Sequence, residues 1–434
     1  MKILIINTSD TNGGAARAAF RLHEALLQSG IDSTMLVMDK KSDINSIITV
    51  KYKSVFGKIS DRFISPQLNK LPLIKYRKTA TKNFGPFSPQ ITSNKKLLQT
   101  INEINPDIVH LHWICYGFLS IEDIAKIKVP IVWSLHDMWA FTGGCHLVAE
   151  QVPPHNGKGM PPCGEMCNKY TTNCGNCEFL GSEKTKDLSF NVLKRKKKSF
   201  AKIKNMTIAG VSRWMADCAK KSTVFADRNV VALPNPLNTE VFKPISKEIS
   251  RNLWNLPKDK KLVLFGAISS TSTPYKGYDK LIEALNKITV ENVECVVFGA
   301  SAPKELPQIP QKIHYVGRLS DDVSLTTLYS ACDLTTTPSL REAFGQVASE
   351  SLSCGTPVVA FGTQGLLDVI DHKTNGYLAQ PFDTADLAKG IDWVLNNENY
   401  DELSKNAIKK VLREFDYGVV AKKYIDLYKN ILKA

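Results

Sequence analysis

The chain has 434 residues, 43% hydrophobic and 23% charged, with a formal net charge of +14. That length suits two domains of roughly 200 residues each rather than one core. The composition is that of a folded globular protein without low-complexity tracts, and no stretch reaches the roughly 20 apolar residues of a membrane-spanning helix.

The first apolar run, Ile3 to Ile6, is too short for a signal peptide and leads into polar residues, so a cytoplasmic protein is expected. Ten cysteines in such a chain argue for metal binding or plain thiols rather than a disulfide framework. Short apolar runs alternate with amphipathic stretches, the pattern of α/β structure with parallel sheets buried on both faces. Strands are predicted at Lys2–Asn7, Ser33–Val37, Ile108–Leu111, Ile131–Leu135, Thr207–Ala209 and Val230–Ala232. A helix over Ala15–Gln28 carries its apolar residues at helical spacing and is closed by Gly30.

The segment Val148–Glu183, rich in Gly, Pro, Asn and Cys, reads as a long inserted loop. Its thiols run Cys163-x3-Cys167-x6-Cys174-x2-Cys177, with Cys145 and His146 nearby as alternative ligands. Four thiolates suit a tetrahedral structural zinc. The six-residue gap is short for common zinc modules, and free thiols or a redox bridge fit the spacing as well.

The three prolines of Leu233-Pro234-Asn235-Pro236-Leu237-Asn238 through Pro244 mark a linker. Beyond it, strands are predicted at Leu262–Phe265, Cys295–Phe298, Ile313–Val316, Leu334–Thr336, Val358–Ala360 and Gly376–Leu378. A last helix, Tyr417–Leu432, has apolar residues that would pack back on the first domain. The expected division is residues 1–236 with the Cys-rich insertion at 145–183, then 237–415, then the returning helix in 416–434.

The basic charge is uneven. Between Lys40 and Lys96 thirteen Lys or Arg face two acids, Asp43 and Asp61, and a second run is Lys194-Arg195-Lys196-Lys197-Lys198. A solvated surface is the plain reading of both. Tyr52, Phe56, Phe63, Leu71, Leu73, Ile74 and Tyr76 are interleaved with the first cluster, a mixture that suits peripheral contact with an anionic membrane. Nothing resembles a nucleic-acid-reading module, so no nucleic acid partner is expected.

The chemistry concentrates in Pro338-Ser339-Leu340-Arg341-Glu342-Ala343-Phe344-Gly345-Gln346-Val347-Ala348-Ser349-Glu350. An apolar strand ends at Thr337, a turn carries Glu342, and a helix carries Glu350. Backbone N–H groups from the Phe344–Val347 turn would be aimed at an anion beyond the strand end. Asn12-Gly13-Gly14-Ala15 lies between a strand and a helix but lacks the full dinucleotide fingerprint, so a nicotinamide cofactor is not expected. His136 follows the strand Ile131–Leu135, and His110 and His112 alternate on one face of theirs.

The Glu342-x7-Glu350 arrangement and the following Gly355-Thr356-Pro357-Val358-Val359 resemble glycosyltransferase family 4, a family of GT-B fold with two Rossmann-like domains facing across a cleft. The likeness runs through Gly13-Gly14-Ala15, His136-Asp137, Gly210-Val211-Ser212, Pro234-Asn235-Pro236, Lys276-Gly277 and Asn375-Gly376-Tyr377. Trp133-Ser134-Leu135-His136-Asp137-Met138-Trp139 and Phe141-Thr142-Gly143-Gly144-Cys145-His146 are similar to the colanic-acid branch of bacterial exopolysaccharide enzymes.

The resemblance implies a retaining transferase that uses a nucleoside diphosphate sugar and a saccharide acceptor, expected to be lipid-linked, without an obligatory catalytic metal or cofactor. It implies that Glu342 contacts the donor sugar, Glu350 the ribose, Lys276 the diphosphate, and His136 positions the sugar. Gly13 and Gly14 would approach the donor or acceptor, and Arg318 would lie near the base. The family's usual Arg after the closing glycine of the first strand of the second domain is missing from Gly266-Ala267-Ile268, which leaves Lys276 with backbone donors, Arg341 or Arg318. The alternatives are a GT-B nucleotide-sugar epimerase and a non-catalytic nucleotide-sugar-binding subunit of a polysaccharide assembly.

Overall fold

The computed structural model describes residues 1–50, 63–80, 86–147, 167–266, 271–303 and 305–433. They divide into two compact units, one of residues 1–234 and 420–434, the other of residues 235–419.

The first unit is built on a seven-stranded sheet. Its strands are β1 (Lys2–Ser9), β2 (Asp32–Asp39), β3 (Ile47–Thr49), β4 (Ile108–Leu111), β5 (Ile131–Leu135), β6 (Met206–Gly210) and β7 (Asn229–Ala232). They lie in the order β3-β2-β1-β4-β5-β6-β7, and every pairing is parallel. Parallel strands need crossover connections, and the covering helices bury both faces. Ile3, Leu4, Ile5 and Ile6 are accordingly fully buried in succession. The helix Gly14–Gln28 follows β1 and turns Ala19, Leu22 and Leu26 onto the same core as Met35 and Val37. Into that core the helix Tyr417–Lys433 sends Val420, Tyr424 and Tyr428.

The second unit carries β8 (Lys261–Gly266), β9 (Val293–Phe298), β10 (Ile313–Gly317), β11 (Leu334–Thr337), β12 (Val358–Phe361) and β13 (Gly376–Ala379), in the order β10-β9-β8-β11-β12-β13. These pairings too are all parallel.

Among the described residues, twelve of the thirteen strands fall on the runs expected from apolarity. The exception is β3, whose three residues are too few to show a pattern. In each sheet the winding reverses once, between β1 and β4 and between β8 and β11. Connections leave in opposite directions there, so a crevice opens beyond the carboxyl ends of those strands, where open α/β sheets take their ligands.

Candidate functional site

In the second unit the reversal brings together the ends of β8 and β11. The loop after β11 carries Pro338 to Gly345 and enters the helix Gln346–Ser353. Opposite it, the chain after β8 makes a single turn, Pro274–Lys276, closed by Gly277 at φ 75°. A side chain at Gly277 would put its Cβ 1.9 Å from the Pro338 carbonyl oxygen, so only glycine lets the two segments meet. The Leu340 N–H donates to the Tyr275 carbonyl at 2.8 Å and stitches them together.

The result is an ion pair in which Lys276 Nζ donates to Glu342 Oε2 at 2.7 Å. The side chains are 22% and 20% exposed, open enough for a ligand to reach. Burial works against the lysine charge, but the Glu342 carboxylate overrides it and holds the Lys276 pKa above its ordinary value.

The surrounding groups are less open. Ala343 and Phe344 are buried, and the Phe344 ring packs edge-on against Phe415 at 5.4 Å. Glu350 lies inside the helix, 3% exposed, and its Oε2 accepts from the Tyr329 hydroxyl at 2.8 Å. Arg341 is 1% exposed within the loop. Arg318 is exposed just beyond the edge strand β10. Ala267 and Ile268, where the usual Arg is missing, lie outside the described residues.

The first unit has its own cluster at the corresponding ends of β1, β4 and β5. Gly13 caps the helix Gly14–Gln28, and its carbonyl accepts from the Arg17 N–H at 3.0 Å. His112, just past β4, and His136, just past β5, share a hydrogen bond between Nδ1 and Nε2 at 2.8 Å. Behind them His110 contacts the Tyr428 hydroxyl at 2.6 Å and the Ser134 hydroxyl at 2.8 Å, and Ser134 contacts the Tyr424 hydroxyl at 2.9 Å. Burial pushes His136 down to about 4 and His110 to about 3, and holds His112 well below the usual value. All three rings are therefore uncharged near neutral pH. Both ring nitrogens of His110 are already bonded, and His136, the one of the three that is not buried, suits hydrogen bonding to a ligand.

Asp137 anchors this cluster. Its Oδ2 accepts from Trp113 Nε1 at 2.7 Å and meets His146 Nδ1 at 2.6 Å, while Oδ1 accepts from the Trp139 N–H at 2.9 Å. His146 Nε2 reaches the Ser88 hydroxyl at 2.9 Å. Burial tends to raise the Asp137 pKa, but His146 and the donated hydrogen bonds hold it below the ordinary value.

The run Lys194 to Lys198 is only partly the solvated surface expected of five successive cations. Lys196 is fully buried, donates to the Trp139 and Thr142 carbonyls, and lies 3.9 Å from the Trp139 ring centre. Desolvation lowers its pKa to about 7. Arg195 grips Glu122 through Nε and Nη2 at 2.8 and 2.7 Å. The helix Leu188–Phe200 thus turns one of its five cations onto the Trp139–Thr142 segment that follows His136 and another onto Glu122.

Cys163 lies outside the described residues. Cys145 and Cys177 pack against the apolar cluster of Tyr76, Phe87 and Leu180. Burial pushes the Cys174 thiol up to about 12 and raises Cys167 and Cys177 as well, with a further push from neighbouring thiols on Cys174 and Cys177 and from Glu178 on Cys167. Among the described residues no three His, Cys, Asp or Glu side chains already converge on a metal position.

Of the basic stretch before Lys96, Tyr52 and Phe56 are likewise outside the described residues. Tyr76 faces inward, where its hydroxyl accepts from the Leu188 N–H at 3.1 Å. Phe63, Leu71 and Ile74 are 60%, 52% and 63% exposed. Among the described residues no helix is long and apolar enough to cross a membrane.

The chain is similar to known proteins. Residues 246–411 match the family model of glycosyl transferases group 1, and residues 12–162 match that of Glycosyltransferase Family 4. The D-inositol 3-phosphate glycosyltransferase of Mycolicibacterium smegmatis is 33% identical over 186 residues, 40% of this chain and 42% of that protein. The chain spans about half the length, or less, of the curated relatives it matches.

Among solved structures, sucrose-phosphate synthase from Thermosynechococcus elongatus superposes with a TM-score of 0.67 at 17% identity, over 100% of both chains. Anabaena HepE, solved with UDP and glucose, superposes with a TM-score of 0.64 at 18% identity, over 99% of this chain and 100% of that one. The two parallel-sheet units are a GT-B fold.

Proposed function

We propose that the protein is a retaining glycosyltransferase that moves a sugar from a nucleoside diphosphate donor to a saccharide acceptor, lipid-linked, in bacterial surface polysaccharide assembly. The observation that carries this reading is the Lys276–Glu342 pair at the carboxyl ends of β8 and β11, a cation and a carboxylate held together where the sheet winding reverses. The two family-model matches and the UDP and glucose bound by Anabaena HepE support it.

In this reading Lys276 meets the diphosphate, together with N–H groups from Ala343 to Gly345 at the start of the helix Gln346–Ser353. Glu342 accepts from hydroxyls of the donor sugar, and Glu350, oriented by Tyr329, accepts from the ribose. The anomeric carbon exchanges its bond to the diphosphate oxygen for one to the acceptor oxygen on the same face. The hydroxyl proton of the acceptor leaves with the nucleoside diphosphate. Within the first unit, Gly13, Gly14 and the neutral His136 are the substrate-contacting groups. The exposed Phe63, Leu71 and Ile74, set among Lys70, Lys75, Arg77 and Lys78, would rest on an anionic lipid surface.

The test is a thermal-shift and donor-hydrolysis screen of the purified protein against UDP-, GDP- and ADP-sugars. Stabilisation by one nucleotide class, with slow diphosphate release abolished in Glu342→Ala and Lys276→Ala, is the expected result. Stabilisation without release or transfer in any assay would favour a non-catalytic binding subunit.

A further inference from the structure

Gln364 stands two residues from Gly362 in the turn after β12, and it breaks two local preferences at once. Its backbone has φ 50°, a region that residues with a side chain seldom adopt. Its amide is buried, 1% exposed, and among the described residues its Nε2 has no hydrogen-bond partner. A glycine would satisfy the backbone, and an apolar side chain would suit the burial. What the glutamine alone provides is its Oε1, which accepts from the Glu342 N–H at 2.7 Å.

The next residue completes the hold. The Gly365 N–H donates to the Glu342 carbonyl at 3.0 Å, so both polar groups of the Glu342 main chain are tied to this one turn. A Cβ at Gly365 would lie 2.2 Å from the Ala343 carbonyl oxygen, which shows how closely the turn is pressed on the loop. The Glu342 side chain leaves from this clamped backbone toward Lys276.

We propose that Gln364 is a positioning residue for Glu342. It fixes the main chain from which the carboxylate reaches the donor sugar, and its strained, half-satisfied state is retained for that purpose. The inference rests on the reading of Glu342 as a sugar-contacting group.

Gln364→Gly and Gln364→Met test it, with turnover, donor KM and melting temperature measured on the full chain. Glycine relieves the backbone, and methionine keeps the size of the side chain but removes the acceptor. The expected result is a loss of kcat of about 10- to 100-fold in both variants. Donor KM should move far less, and the melting temperature of Gln364→Gly should stay level or rise. Wild-type kcat in Gln364→Gly would overturn the proposal, as would losses that simply follow melting temperature in both variants. Glu342→Ala in parallel separates the causes. If it is unimpaired, the reading of Glu342 falls and this inference with it; if it is impaired while Gln364→Gly is normal, only the positioning role falls.

Discussion

Lys276 Nζ and Glu342 Oε2, 2.7 Å apart, are each other's ion-pair partner although they are assigned to different parts of one substrate. A donor that enters between them must exchange this contact for its own, its diphosphate taking the lysine and its hydroxyls the carboxylate. Lys276→Met should therefore cost about 10²- to 10³-fold in turnover. Because both side chains are partly exposed, stability should change by no more than about 1 kcal/mol. A turnover assay beside a melting curve checks both, and a large drop in melting temperature with normal turnover would reverse the assignment.

Tyr329→Phe removes the hydroxyl that donates to the buried Glu350 carboxylate. A hydrogen bond to a buried charge is worth roughly 1.5–3 kcal/mol, and that much stability should be lost. Donor affinity should weaken as well, because Glu350 loses its orientation. Denaturant titration and donor calorimetry report the two effects separately.

The buried histidines make the fold acid-sensitive. His23 and His136 are held down to about 4 and His110 to about 3 by burial, against 6.5 in an unfolded chain. Between these values the unfolded chain binds protons that the folded one does not. Stability is thus fully present above about pH 6.5 and falls as the pH drops toward 4, by roughly 1.4 kcal/mol per pH unit for each histidine. Melting temperature measured across this range should show the slope, and His23→Asn should remove about one proton's share of it.

Binding to vesicles containing phosphatidylglycerol should be detectable at low salt and fade as the screening length shrinks from about 10 Å at 0.1 M to 3 Å at 1 M. Phe63→Ser with Ile74→Ser should weaken it at every salt concentration without unfolding the chain, because both side chains are exposed. Equal binding to neutral vesicles would remove the electrostatic part of the reading.

A structural zinc on the Cys-rich loop predicts about one zinc per chain, lost together with several degrees of melting temperature in Cys174→Ser. Elemental analysis of the purified protein decides it, and zinc-free protein would leave these thiols as packing groups.

The sheet strands were legible because burial on both faces writes continuous apolar runs, such as Ile3 to Ile6, into the chain. The loop of Glu342 was legible because a strand, a turn and a helix start follow one another locally. Lys196 was not, since nothing in a run of five cations tells which one turns inward onto the Trp139 and Thr142 carbonyls. Nor were Tyr329 and Gln364, which reach Glu350 and Glu342 at sequence separations of 21 and 22. Hydrogen bonds of that kind are set by how helices and loops pack at the ends of neighbouring strands, and leave no periodic trace in the sequence.

The return of the chain to its first unit gives synthesis an order. His110 and Ser134 emerge early, but the Tyr428 and Tyr424 hydroxyls that meet them follow only after residues 235–419. At about 5–20 residues per second that delay is roughly 15 to 60 s. During translation the intervening unit can close on itself as one uninterrupted stretch, while its predecessor waits with an open core for a helix not yet made.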